Sequence, residues 1–248
     1  MTRKVLRWLV AGILAYLIFL CATFPASYAL RWVQADVPGI QLSDVSGSIW
    51  SGHAGQLVFE SVPLGALSWD FDWRAPWSGK LGYHLTLADG VTRLKGRLAI
   101  GRAGQIVIRD LSGRVPVQRL DHWLPLPPDS VTGLLQLNLN SLSVTNGMPQ
   151  AADGSITLSD ANLNWPQAAT LGSYSLKLHT SQGITGDIQD TSGPLAMQAQ
   201  VILQTDGQYH VQGTLAARDK DSAAAHLLTY LGSPGPDGKY PFNFAGRL

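Results

Sequence analysis

Leu67-Ser68-Trp69-Asp70-Phe71-Asp72-Trp73 alternates without a break: Leu67, Trp69, Phe71 and Trp73 are apolar, while Ser68, Asp70 and Asp72 are polar. Successive side chains of a strand point to opposite faces, so a period of two marks a strand with one dry face and one wet face. The rhythm returns in Leu81, Tyr83, Leu85 and Leu87, with Gly82, His84 and Thr86 opposite. It returns again in Leu94, Gly96, Leu98 and Ile100, set against Arg93, Lys95, Arg97 and Ala99. Further strands are expected at Gln105–Leu111, Gly133–Val144, Gly154–Leu158, Tyr174–Thr180, Ile184–Asp190, Leu195–Gln204 and Tyr209–Ala217. Asp89-Gly90, Asn146-Gly147 and Asp206-Gly207 are hairpin signals between such runs, which makes most neighbours antiparallel.

Two stretches depart from this period. Val117, Leu120, Trp123 and Leu124 recur at helical spacing, and Pro125, Pro127 and Pro128 then stop the helix. Ser222–Leu231 reads as a second short helix, ended by Gly232 and Pro234. Each follows a run of strands, and Gly47-Ser48-Ile49 in the first run is echoed by Gly154-Ser155-Ile156 in the second. Two related β halves, 39–128 and 129–248, are the expected organisation.

Upstream of the strands the chain is of another kind. Trp8–Phe24 is seventeen residues without a charge, and Arg3, Lys4 and Arg7 precede it. Fully helical, that run would be about 26 Å long, close to the hydrocarbon thickness of a bilayer. The basic residues would hold 1–7 in the cytoplasm and send everything beyond Phe24 across the membrane. Tyr28, Arg31 and Trp32 supply the amphipathic chemistry of the far interface, in a linker spanning 25–38. Ser27-Tyr28-Ala29 offers a small-x-small cleavage site, but the run exceeds the 7–15 residues of a signal-peptide core, which favours an uncleaved anchor at 8–24. Ile18-Phe19-Leu20 is too bulky a lead-in to Cys21 for lipoprotein processing. The expected fold is therefore mostly β: a single transmembrane helix, then a curved, mainly antiparallel sheet domain with two short helices.

Composition agrees. Charged residues make up 14% of the chain and Glu occurs once, at Glu60, against about 25% charged in an average globular chain. The net charge of +1 gives no case for nucleic-acid binding. The only cysteine, Cys21, lies in the apolar run, so the exported part has neither disulfide nor thiol chemistry.

No catalytic or cofactor-binding constellation is present: there is no G-x-S-x-G, no H-E-x-x-H and no phosphate-binding glycine loop. The six histidines are scattered, without a second ligand at metal spacing. No enzyme activity, cofactor or metal is expected. Five of the eight tryptophans fall between Trp32 and Trp77. Trp69 and Trp73, on an amphipathic strand, are expected in the core. Trp50 stands apart, bracketed by Gly47 and Gly52 where the backbone must bend or approach closely. Charge is uneven too: seven basic residues and one acid, Asp110, lie between Arg93 and Arg119. Arg93, Lys95 and Arg97 read either as a solvated face guarding a sheet edge or as a basic patch for an acidic partner domain or phospholipid headgroups.

One set of residues resembles a known family. The basic N-terminus, the apolar helix and a proline are followed by Leu42-x-x-Val45-x-Gly47-x-Ile49-Trp50-Ser51-Gly52-x-Ala54, and then by Leu67-x-Trp69. The end of the chain carries Leu231-Gly232, Asp237-Gly238-Lys239-Tyr240 and Gly246-Arg247-Leu248. This pattern is similar to that of the type II secretion system protein N (GspN) family, itself thought to be related to AsmA-like proteins, whose β-sheets form grooves linked to lipid handling. The resemblance implies a single-pass inner-membrane protein with a periplasmic β domain. It would be an accessory part of the machine that exports folded proteins through the outer membrane, in contact with other secretion components. It implies no active site; Gly47, Trp50, Gly52, Ala54 and Trp69 would be structural or partner-contact residues. A lipid-binding or lipid-transfer module with an apolar groove, taking phospholipid, is the second function class.

Overall fold

A computed structural model describes residues 2–28, 39–101, 104–123, 127–165, 167–219 and 222–247. The expected interface residues Arg31 and Trp32 and the expected helix end at Leu124 lie outside them. The chain divides into two compact units, Met1–Phe71 and Asp72–Leu248.

The first unit opens with helix α1, Thr2–Ala22, followed by β1 (Ile40–Gly47), β2 (Ser51–Phe59) and β3 (Val62–Phe71). The three strands form an antiparallel meander in which Val45, Ala54 and Leu67 stand side by side, as do Gly47, Gly52 and Trp69. From Trp8 on, the described side chains of α1 are apolar and exposed all round, including Trp8, Leu14 and Phe19. The helix ends at Ala22 rather than Phe24, so its uncharged part is about 22 Å long at 1.5 Å per residue. A hydrocarbon core is about 30 Å thick. Among the described residues no helix is long and apolar enough to cross a membrane. The transmembrane helix expected at 8–24 is thus seen as a helix, and not as a span.

β3 also stops short of the expected strand. The Asp72 carboxylate accepts the Arg74 N–H at 2.9 Å and starts a turn, so Trp73 leaves the sheet and is 65% exposed rather than in the core. Asp-initiated turns of this kind compete with continued strand.

The second unit is a ten-stranded meander: β4 (Leu81–Asp89), β5 (Thr92–Ile100), β6 (Gln105–Pro116), β7 (Val131–Thr145), β8 (Met148–Leu163), β9 (Ala169–Thr180), β10 (Ile184–Ser192), β11 (Leu195–Leu203), β12 (Gln208–Ala217) and β13 (Tyr240–Arg247). Each strand pairs antiparallel with its neighbour in sequence. Asn146 (φ 52°) and Gly147 (φ 78°) make the left-handed two-residue turn that matches strand twist at β7–β8. β6 and β7, on either side of the Pro-rich connection, pair along most of their length. That connection holds a 3-10 helix, Val117–Trp123, as its spacing suggested. The second short helix, α2 (Ala223–Leu228), is capped by the Ser222 hydroxyl accepting the Ala225 N–H at 3.2 Å.

Register turns the period-two pattern into surfaces. One row runs through every strand of the unit: Leu87, Leu94, Gly113, Leu137, Ile156, Leu176, Ile188, Ala199, Gly213 and Phe242. On the opposite face the neighbouring row is Lys95, Ser112, Asn138, Ser155, Lys177, Asp187, Gln200, Gln212 and Asn243. The unit is therefore one amphipathic sheet with an apolar side and a polar side. Among the described residues no large side chain is fully buried. Leu137, Ile156, Leu176 and Ile188 are only half-buried. A buried cluster forms at one end of the apolar side, where Ala224 and Leu228 of α2 pack on Leu195, with Leu171, Leu215, Ala217 and Tyr240 around them. The 3-10 helix 117–123 packs at the same end, against β6 and β7, with Val117 buried.

Candidate functional site

The residues singled out around Trp50 meet at the end of α1. Gly47 and Gly52 close the β1–β2 hairpin as a directly opposed pair. Between them, Ser48 folds the tip: its N–H donates to the Ser51 carbonyl at 2.9 Å, and its hydroxyl accepts the Trp50 and Ser51 N–H groups at 3.2 and 3.3 Å. Gly47–Ala54 is therefore a hairpin tip feeding β2, rather than one bent strand. Gly47 holds φ at +91°, and a Cβ there would sit 2.6 Å from the Ser51 oxygen. At Gly52 a Cβ would meet the Trp69 ring at 2.3 Å and the Ser46 oxygen at 2.7 Å. Glycine at 52 leaves the space that the Trp69 ring occupies. The Trp69 indole N–H donates to the Ser48 carbonyl at 3.0 Å, tying β3 to the tip. Ala54, directly opposite Val45 and Leu67, is completely buried.

Trp50 joins this tip to the helix. Its ring packs edge-on against Phe71 with centroids 4.8 Å apart, and its indole N–H donates to the Cys21 carbonyl at 2.8 Å. Cys21 lies in the last turn of α1, where carbonyls have no partner within the helix. The chain leaving α1 is held at the same place: the Ile49 N–H donates to the Phe24 carbonyl at 3.1 Å, and Pro25 bridges to Ser48. The arrangement can hold a helix end in a fixed direction relative to a β-hairpin. The sequence marked these residues, but not the 29-residue reach from Trp50 to Cys21.

Arg93, Lys95 and Arg97 are all exposed on the polar face of β5. β5 is paired on both sides, so they do not guard an edge. Arg97 makes an ion pair with Asp110, which occupies a bulge in β6 at φ 51°. Arg93 stands directly opposite Arg114, and Arg97 opposite Arg109. Like charges so placed repel.

On the apolar side, Asp190 is directly opposite Tyr174. Burial alone would raise the Asp190 carboxyl, but the Met197 N–H at 2.7 Å and the paired Arg218 guanidinium outweigh it and hold it below the usual carboxylate range. Burial, with the Asp190 charge adding to it, pushes the Tyr174 hydroxyl up. Its O–H donates to the Leu171 carbonyl at 2.7 Å, so these polar groups are spent on structure near the α2 end. Among the described residues no three His, Cys, Asp or Glu side chains gather where they could hold a metal ion.

Comparison with known proteins agrees with the pattern at Gly47–Ala54. Curated relatives of this chain bear the name type II secretion system protein N. That of Aeromonas hydrophila is 28% identical over 95% of this chain and 96% of its own; that of Vibrio cholerae is 26% identical over 85% and 86%. That of Klebsiella pneumoniae is 28% identical over 94% and 92%. No solved structure matches. The family model described as type II secretion system (T2SS), protein N matches residues 38–243, which cover the hairpin tip and all but the last residues of the sheet, and the chain belongs to that family.

Proposed function

We propose that the chain is an accessory inner-membrane subunit of the type II secretion system, acting in the export of folded proteins from the periplasm across the outer membrane. The family match over residues 38–243 carries this reading. α1 is its anchor and the β units are periplasmic. An exposed helix that is apolar all round needs lipid or protein against it. A short apolar stretch reaches across a bilayer by local thinning and by snorkelling of flanking residues, at fractions of a kcal/mol per Å. Arg3, Lys4 and Arg7 set the orientation. In this role the Trp50 joint fixes the hairpin to the anchor. The test is affinity capture of the full chain from gently solubilised membranes of its own host. Co-purification of other type II secretion components is expected; recovery without any of them, from cells in which the apparatus is assembled, overturns the reading.

A second reading is favoured by the apolar side of the ten-stranded unit. A row that crosses every strand holds half-buried Leu94, Leu137, Ile156, Leu176, Ile188 and Phe242, and exposure of apolar surface costs about 25 cal/mol per Å². Acyl chains of phospholipid would remove that cost, making the sheet a lipid-binding groove like those of AsmA-like proteins. Mass spectrometry of lipids extracted from the purified chain separates the two. Phospholipid at a fixed ratio, lost in Leu98→Asp, selects the groove.

A further inference from the structure

The connection into β4 carries Trp73-Arg74-Ala75-Pro76-Trp77-Ser78-Gly79-Lys80, two tryptophans and two cations with no acid among them. Trp73 is 65% exposed and Trp77 93%. Rings this large are rarely left in water by a loop free to fold over them, and this loop is not free. Ala75–Ser78 is a 3-10 turn with Pro76 inside it and Gly79 at φ 72° closing it, and the Gly79 N–H donates to the Pro76 carbonyl at 2.9 Å. At its base the Asp72 N–H donates to the Gly82 carbonyl at 2.9 Å, tying the turn to β4. The tryptophans are held out by a built turn.

Beside them is a concavity of about 300 Å³, lined among others by Arg74, Lys80, Arg97 and Arg109. Its wall contains one carboxylate, Asp72, whose oxygen already accepts the Arg74 N–H. Asp110 serves Arg97 alone, and Arg109 has no ion-pair partner among the described residues. Two arginines set side by side across a strand pair, with two more cations lining the same concavity, are a repulsion that an anion relieves.

Exposed tryptophan flanked by Arg and Lys is the chemistry of a membrane–water interface, where the ring sits at headgroup depth and the cations meet lipid phosphates. We infer that the Trp73–Lys80 turn is a second membrane contact, distinct from α1. In it Trp73 and Trp77 enter the interface of an anionic bilayer, and Arg74, Lys80, Arg97 and Arg109 take the headgroup phosphate. The contact stands on this turn and pocket alone and does not depend on the secretion role.

The test uses the full chain with Cys21→Ser and Trp77→Cys, labelled at the new thiol with an environment-sensitive fluorophore. It is reconstituted in vesicles of phosphatidylcholine alone or mixed with phosphatidylglycerol. Carbonate extraction reports separately whether α1 is inserted, so a failed anchor is not mistaken for a failed contact. In the mixed vesicles the emission shifts to the blue and iodide quenching falls. Both effects are absent in phosphatidylcholine alone and reverse in high salt, where charges are screened within a few ångströms. Arg97→Gln with Arg109→Gln lowers the bound-to-free ratio about 30-fold, at ~1 kcal/mol per basic residue near an anionic surface. A label at Val91→Cys, in the 66%-exposed turn after β4, stays open to iodide throughout. The inference is overturned by equal quenching at position 77 in both vesicles or by equal protection at position 91. It is also overturned by a response to inorganic phosphate that lipid does not reproduce, or by protection that needs an added acidic protein.

Discussion

The Trp50 ring packs on Phe71 and its indole N–H bonds the Cys21 carbonyl, and substitution separates these contacts. Trp50→Phe keeps an aromatic ring against Phe71 and removes the indole N–H from the Cys21 carbonyl. A single net hydrogen bond predicts a loss of about 1 kcal/mol in a denaturant titration of the full chain in detergent. Trp50→Ala removes both and costs ~3 kcal/mol, the low end for a large aromatic because the ring is only part-buried. Equal losses in the two variants would mean that the hydrogen bond carries everything. Gly52→Ala sets a methyl against the Trp69 ring and the Ser46 oxygen. It should cost about 1–3 kcal/mol as overpacking and release Trp69, seen as red-shifted emission from that residue. The glycines on either side of Trp50 announced a close approach in the sequence. What approaches was not legible, because Trp69 and Cys21 arrive from elements far along the chain. Trp73 misled for the opposite reason: alternation continues through it, but one Asp72 side chain makes a local turn that hydrophobic period does not register.

Among the elements, the strands were legible wherever alternation runs clean. Two of them were expected shorter than they are, each with a bulge near the expected end. Gly154–Leu158 is the middle of β8, Met148–Leu163. Asp160, at φ 52°, inserts between Leu158 and Ala161, so the apolar residues beyond it fall out of step without leaving the strand. Asp110 does the same in β6. β13 was missed although Tyr240, Phe242 and Phe244 alternate with Pro241, Asn243 and Ala245: Pro241 and the glycines at 238 and 246 argue against a strand, and β12 nonetheless pairs with it along its length. The β9–β10–β11 region carries a pH prediction. The folded-state carboxyl of Asp190 titrates below its unfolded value of about 3.9. The stability it contributes is therefore full above that value and is lost as pH falls through the folded one. Asp190→Asn should cost about 1–2 kcal/mol at pH 7, discounted because Arg218 is half exposed. The gap between wild type and variant should close as acid protonates the wild-type carboxyl. A gap that stays constant below pH ~4 would contradict the assignment.

At the scale of the whole chain, the polar and apolar sides of the ten-stranded unit follow from period and register together. The period was in the sequence; the register came only with the turns and bulges that fix it. Function was legible as family rather than as chemistry, because the informative residues at Gly47–Ala54 carry a family pattern and join a hairpin to a helix end. Topology is open to a direct check. Alkaline phosphatase fused after Leu248 should be active, since the basic residues before Trp8 predict export of all that follows, and an inactive fusion in cells holding the intact chain would reverse the orientation. The secretion role itself is tested by the amount of a type II exoprotein in the medium of a strain deleted for this chain, with and without the wild-type chain restored. The exoprotein should accumulate in the periplasm of the deletion strain and return to the medium on restoration. Unchanged release from the deletion strain would refute the role.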